Sequence, residues 1–203
     1  MIIDKEKLIF IHIPKTAGTS LAFYFDKNTE DLIPDKYGVL KHDKIKVIKT
    51  KIQNHKEYKK FTIVRNPYDR MVSWYFYLKN ECLQSGLPLE KAFPCNFIQW
   101  IKDPYGSLYA KQKLNIYKNG KDINMGYLDP QYTFLDKDVV VLKYENLNND
   151  LNNFFKKEIK LPIKNSTNHE YYLNYYNKYA LDIVYDIYKE DFKRFNYKKI
   201  EKI

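Results

Sequence analysis

Two cysteines in 203 residues, Cys82 and Cys95, are too few and too unpatterned for a disulfide framework or a zinc site, and free buried thiols are expected. Glycine and proline are also sparse, at 6 and 8 residues, and no Gly-, Pro- or Ser-rich linker interrupts the chain. A chain of this length can bury a sizeable core, so a single domain over residues 1–203 is expected. Internal repeats and low-complexity tracts are missing. No apolar run approaches the ~18–20 residues of a membrane span, and the opening MIIDKEKLIFIHI carries neither a basic leader nor a long apolar core. The expected compartment is therefore the cytoplasm. The kinase-type phosphate string G-x-x-x-x-G-K-[ST] occurs nowhere, which removes ATP as the default ligand. Arginine is the last scarcity: of 35 basic residues only Arg65, Arg70 and Arg194 are arginine.

What is present is a chain of 44% hydrophobic residues with 20 Tyr and 12 Phe, too apolar and aromatic for disorder. A net charge of +10 suits an anionic partner, such as a nucleotide or an acidic polymer. The lysines are scattered rather than blocked and no nucleic-acid reader motif occurs, so nucleic acid is not an expected partner. The run YYLNYY at 171–176 could stack on bases or sugars, or pack as core or surface at helical spacing.

Residues 8–25, LIFIHIPKTAGTSLAFYF, read as an apolar strand, a short Lys-bearing turn and a helix. Such a turn can offer an anion consecutive backbone N–H groups, the hydroxyls of Thr16, Thr19 and Ser20 and the Lys15 ammonium, with the positive end of the helix dipole at the same spot. The anion is expected to be that of a nucleotide. The competing reading is an ordinary strand-to-helix turn, with Gly18 as a permissive backbone and Thr19 or Ser20 as N-cap.

Residues 60–78, KFTIVRNPYDRMVSWYFYL, repeat the pattern. An apolar run stops at a polar corner, and a helix follows with Asn66 as N-cap and Pro67 at its first position, where the missing N–H costs nothing. Asn66, Arg70, Ser73 and Tyr77 recur at spacings of three and four, which puts them on one helical face. Arg65 at the strand's carboxyl end and the Ser73 hydroxyl could meet a second anionic group, for which a guanidinium fork is well shaped. In a chain that otherwise uses lysine, two of three arginines fall in this one motif. Arg70 could equally pair with Asp69 or another carboxylate.

The two motifs together resemble the sulfotransferases that use 3'-phosphoadenosine-5'-phosphosulfate (PAPS), especially the carbohydrate branch, whose members carry a HIPKTAGTS-like loop and an RNPYDR-x-x-S helix. The resemblance is strong over 8–25 and 60–78 and weaker over 139–197. It implies an α/β fold with a mostly parallel central sheet flanked by helices, related to nucleotide kinases. It further implies that Lys15, Thr16, Ala17, Gly18, Thr19 and Ser20 hold the 5'-phosphosulfate, and that Arg65 and Ser73 hold the 3'-phosphate. PAPS would be the co-substrate, adenosine 3',5'-bisphosphate (PAP) the product, and a hydroxyl, most simply on a saccharide, the acceptor. Animal members are usually Golgi-anchored, so an unanchored chain suggests a microbial enzyme or a trimmed chain.

Sulfuryl transfer requires a deprotonating oxygen nucleophile, charge neutralisation at the leaving phosphate and in-line placement. Lys15 is the candidate for the leaving group. The base is expected among His12, His42, His55 and His169, since imidazole titrates near neutrality. His42, in GVLKHDKIKVI at 38–48, looks like the family's K-H segment with its catalytic His; the alternative is a surface His beside Lys41 and Asp43. His12 is the second candidate, though its place in the strand fits a buried His that holds the loop. No metal is expected, since no His, Asp or Glu spacing suggests one.

Elsewhere, 97–101 reads as a helix, 108–117 as a helix shaping the acceptor cleft, and 139–144 as a buried-type strand followed by a helix near 151–158. In related enzymes the segment matching 161–169 covers the nucleotide, which marks Lys164 and Ser166 as candidate contacts against the alternative of a plain loop. The stretch 179–195 repeats apolar residues at helical intervals through Leu181, Val184, Ile187 or Tyr188, and Phe192. Two other functions share these features: a nucleotide-dependent phosphotransferase or kinase, which would need magnesium ligands, and a non-catalytic nucleotide- or polyanion-binding module.

Overall fold

The computed structural model describes residues 1–26, 35–84, 86, 93, 96–104, 115–118, 121–124, 128–162 and 169–202, the side chains of 115–118 and 121–124 excepted. Cys95, Lys164, Ser166 and residues 108–114 lie outside the described residues. The main elements in chain order are β1 (Ile2–Ile3), β2 (Leu8–Ile11), α1 (Gly18–Tyr24), α2 (Ile45–Lys51), β3 (Lys59–Val64), α3 (Pro67–Gln84), α4 (Phe97–Lys102), β4 (Asn115–Lys118), β5 (Lys121–Asn124), β6 (Val139–Lys143), α5 (Leu147–Phe155) and α6 (Lys178–Arg194). The chain divides into two compact units, one of Met1–Arg65 with Asp129–Ser166 and one of Asn66–Leu128 with Thr167–Ile203.

The first unit holds a sheet in the order β1-β2-β3-β6, in which β1 runs antiparallel to β2 while β2, β3 and β6 are parallel. This is the expected α/β arrangement, a mostly parallel sheet flanked by helices. Parallel strands are covered on both faces, which suits the wholly apolar LIFI of β2 and the buried Phe61, Ile63 and Val64 of β3. Phe10, Phe61 and Ile63 pack with Leu21 of α1, Leu142 of β6 and Leu151 of α5 into one core. The Phe61 ring lies 4.6 Å from Phe154 and 5.1 Å from Phe10, centroid to centroid. Two polar side chains of β3 are buried: Lys60 donates to the Tyr58 carbonyl at 2.9 Å, and fully buried Thr62 donates to the Ile11 carbonyl across the ladder at 2.7 Å. Strand β6 departs from its buried-type sequence. It is last in the sheet order among the described residues, and Val140 and Val141 are 41% and 38% exposed. Valine favours the extended backbone at an edge as well as at a centre, so the run VVV marks a strand without marking its depth.

The second unit is built on α3, α4 and α6 around Tyr68, Trp74, Tyr75, Leu78, Trp100, Leu181 and Val184. Asn66 accepts the Tyr68 N–H at 3.0 Å and Pro67 is the first residue of α3, as its sequence requires. Asn96 and Asn177 cap α4 and α6 in the same way. Non-helical dihedrals at Tyr188 kink α6, so that Tyr188 turns inward while Ile187 is half exposed. The helix expected over 108–117 is not what forms at its described end: residues 115–118 are a strand in an antiparallel hairpin with β5. The sequence between those strands is Asn119-Gly120, a two-residue connection of the kind hairpins favour, and it outweighs the helical spacing upstream.

Candidate active site

Strands β2 and β3 are parallel neighbours with Ile11 opposite Thr62, so their carboxyl ends emerge side by side. The loop 12–17 leaves the first and Arg65 leaves the second. In open α/β sheets ligands collect at such ends.

The loop is conformationally unusual. Lys15 and Ala17 have φ of 67° and 69°, left-handed values that L-residues with a Cβ adopt at a cost of about 1–2 kcal/mol each. Left-handed residues inside a tight turn set successive N–H groups toward one side, the geometry of a backbone nest for anions. Lys15, Ala17 and Thr19 are partly exposed, while Thr16, Gly18 and Ser20 are buried. The Thr16 hydroxyl donates to the Ile13 carbonyl at 2.8 Å and is fully buried, so this hydroxyl braces the loop, and only the backbone of Thr16 is left to face an anion. Helix α1 begins at Gly18 with Ala17 at its N-cap, which replaces the capping by Thr19 or Ser20 that an ordinary turn would use.

Gly18 is required for space. A Cβ at this position would lie 2.1 Å from both Cδ2 and Nε2 of His12, and no left-handed φ is involved. The permissive backbone expected of Gly18 is needed instead at Lys15 and Ala17, which lack it. His12 is buried, with its ring 5.5 Å from that of Phe10 and 4.5 Å from that of His42. It lies one residue past the end of β2 rather than in the strand, with its ring packed against the Gly18 turn.

His42 is 8% exposed, which removes the surface-histidine alternative. Its Nδ1 lies 2.7 Å from the His12 backbone carbonyl. A carbonyl only accepts, so Nδ1 carries the proton and Nε2 the lone pair when the ring is neutral, the tautomer a general base requires. The segment around His42 is tightly tied. Asp43 accepts from the Leu40 N–H at 2.9 Å and from Lys51 at 2.7 Å, and Lys51 also donates to the Gly38 carbonyl. Asp35 accepts from the N–H groups of Tyr37 and Val39, and Lys44 pairs with Asp129 at 2.6 Å. Asp4 takes hydrogen bonds from Lys36, Tyr37 and Tyr58; the Lys36 ammonium above all holds its carboxyl down at about 2. His55 opens a short 3-10 turn, and the His169 ring stacks on Phe76.

Arg65 is 7% exposed and stands over the glycine turn: its Nη1 donates to the Lys15 carbonyl at 3.3 Å, and its guanidinium carbon lies 4.1 Å from the centroid of the Tyr144 ring. Its backbone N–H donates to Gln131 Oε1 at 2.9 Å, and its carbonyl accepts from Gln131 Nε2 at 2.8 Å. Sequence reasoning gave no role to Gln131 or Tyr144, and nothing in DPQY or VLKY singles them out. In the second unit, Ser73 is buried on α3, and fully buried Arg70 has its guanidinium carbon 6.0 Å from the Tyr188 ring centroid.

Among the described residues no group of three His, Cys, Asp or Glu side chains is placed to hold a metal ion, and no helix is long and apolar enough to cross a membrane. No curated protein and no solved structure matches the chain. A family model described as the sulfotransferase family matches residues 1–198, which takes in the Lys15 loop, His42, Arg65 and nearly all of both units. The chain belongs to the sulfotransferase family.

Proposed function

We propose that this sulfotransferase takes its sulfuryl group from PAPS and delivers it to a hydroxyl of a saccharide, acting as a single catalytic domain in the cytoplasm. The observation that carries the proposal is the Arg65 guanidinium, which lies against the backbone of the Lys15 loop and brings a fixed cation beside a nest-like turn. The alternating left-handed residues and partly exposed Lys15 fit a phosphate-bearing donor. Residues 15–20 would hold the 5'-phosphosulfate through backbone N–H groups, the Lys15 ammonium and the hydroxyls of Thr19 and Ser20. Arg65 is assigned to the 3'-phosphate, together with Ser73 and Ser166, by the family resemblance.

When bound, PAPS supplies an activated sulfuryl group whose sulfur–oxygen bond to phosphate breaks as the bond to the acceptor oxygen forms. Lys15 neutralises the charge that grows on the departing phosphate oxygen. His42 Nε2 takes the acceptor's proton while Nδ1–H stays on the His12 carbonyl, which steadies the imidazolium. Both charges are handled by side chains of the chain itself, so the proposal assigns no metal.

Calorimetry with PAP, AMP and ATP tests the donor assignment. PAP should bind at least about tenfold more tightly than AMP, the contribution of one charge-assisted contact to the extra phosphate. Equal binding of all three refutes it. Transfer of labelled sulfate from PAPS to a panel of glycans, phenols and lipids tests the acceptor, and labelling confined to phenols or lipids refutes the saccharide.

A further inference from the structure

We propose that Gln131 is a positioning residue for the donor site, because its side-chain amide pairs with both backbone polar groups of Arg65 and so aims the guanidinium. The inference rests on the donor reading above. The ladder between β3 and β6 ends at the pair Val64–Lys143, so Arg65 is the first residue beyond it. Its N–H and carbonyl are met by a side chain instead of a strand. Gln131 accepts the N–H at 2.9 Å and donates to the carbonyl at 2.8 Å, and the same two bonds fix which end of the amide is oxygen. Gln131 is fully buried and cannot trade these partners for water.

The segment that presents Gln131 is itself anchored. Asp129 pairs with Lys44 at 2.6 Å, and the Thr133 hydroxyl donates to the Pro130 carbonyl at 2.7 Å as the chain enters the short turn Gln131–Phe134. With the Arg65 backbone held at both polar groups, its Cα–Cβ direction is set. The Tyr144 ring and the Lys15 carbonyl then restrain the far end of the side chain. An arginine held in this way has surrendered its rotamer freedom before a phosphate arrives, which is how preorganisation raises affinity. Asp129, Pro130 and Gln131 thus link two candidate groups, with Lys44 two residues from His42 at one end and Arg65 at the other.

A buried glutamine could instead serve stability alone, and the test separates the two roles in the full chain. Gln131→Met removes both hydrogen bonds at nearly constant length, while Gln131→Glu keeps the acceptor for the Arg65 N–H and loses the donor. Hydrogen exchange read by NMR should show the Arg65 amide exchanging at least about tenfold faster in Gln131→Met, with the Ile63 amide unchanged, and still protected in Gln131→Glu. Calorimetry should show PAP weakened about tenfold by Gln131→Met and AMP by less than about twofold, and Gln131→Met should add nothing to the PAP loss of Arg65→Ala. Equal weakening of PAP and AMP, full additivity with Arg65→Ala, or an Arg65 amide unmoved in Gln131→Met overturns the inference. Should Gln131→Met fail to fold, Gln131→Glu decides: it should weaken PAP several-fold while sparing AMP, and parallel losses overturn the inference. A wild-type protein that binds PAP no better than AMP overturns the donor reading itself, and that result is visible before any variant is made.

Discussion

Substituting Gly18 by alanine probes the link between the loop and the histidine pair. The added Cβ would sit 2.1 Å from two atoms of the His12 ring and 2.7 Å from Cγ, well inside any tolerated contact. The ring has no easy escape, because it is buried with Phe10 at 5.5 Å and His42 at 4.5 Å. Relief must come from moving His12 or the start of α1, and overpacking of this kind costs about 1–3 kcal/mol. For a chain of this size that is a fall in Tm of about 3–10 °C. No left-handed strain adds to this, since Gly18 has no positive φ, and the helical backbone at 18 by itself favours alanine. Urea denaturation of the wild type, Gly18→Ala, His12→Ala and the double variant gives the full cycle. The alanine at 18 should cost less than about 0.5 kcal/mol once His12 is truncated, because the space it needs is then open. Sulfotransfer should fall in Gly18→Ala beyond what stability explains, since His42 hangs from the His12 carbonyl. An equal cost of Gly18→Ala in both backgrounds would refute the steric account.

The other expectations concern charge. Lys15→Ala should lower kcat by about 10²–10³ in a single-turnover assay while leaving Tm within error, because the residue is partly exposed and its task is electrostatic; a matching loss in PAP affinity with kcat intact would mean a binding role only. His42→Ala should abolish transfer yet leave PAP binding unchanged, and retained activity would move the base elsewhere. Asp4 gives a pH dependence. Its carboxyl is depressed from 3.8 to about 2, so its stabilisation is complete above pH 4 and drains away as pH falls through 2. The shift alone corresponds to about 2 kcal/mol, and the exposure of its partner Lys36 reduces this to about 1 kcal/mol. Asp4→Asn should therefore be less stable than wild type in urea at pH 6 and converge with it between pH 4 and pH 2; a constant gap across that window would refute the assignment.

What could be read from the sequence was what local chemistry dictates. The apolar runs of β2 and β3, the Asn66 cap and the Pro67 start of α3 each depend on residues within a few positions of one another, and the parallel α/β fold follows from their order. The misreadings have a common cause in long-range partners. VVVLK is a strand by propensity wherever it sits, so only its neighbours reveal that Val140 and Val141 are exposed. Gly18 reads as a permissive backbone because glycine often is one, yet what its place requires is room for the His12 ring, six residues earlier. The burial of His42 and the clasp of Gln131 on Arg65 span 30 and 66 residues, and no spacing rule reaches so far. The candidate groups His42 and Arg65 meet partners from distant segments, the His12 and Lys15 carbonyls and the Gln131 side-chain amide. Such partners carry no local sequence signature, so the candidate residues are legible as types while their distant partners are not. It follows that variants at Gln131, which looks unremarkable in the chain, and at Gly18, whose need for space no spacing reveals, are the sharper probes of how the site is built.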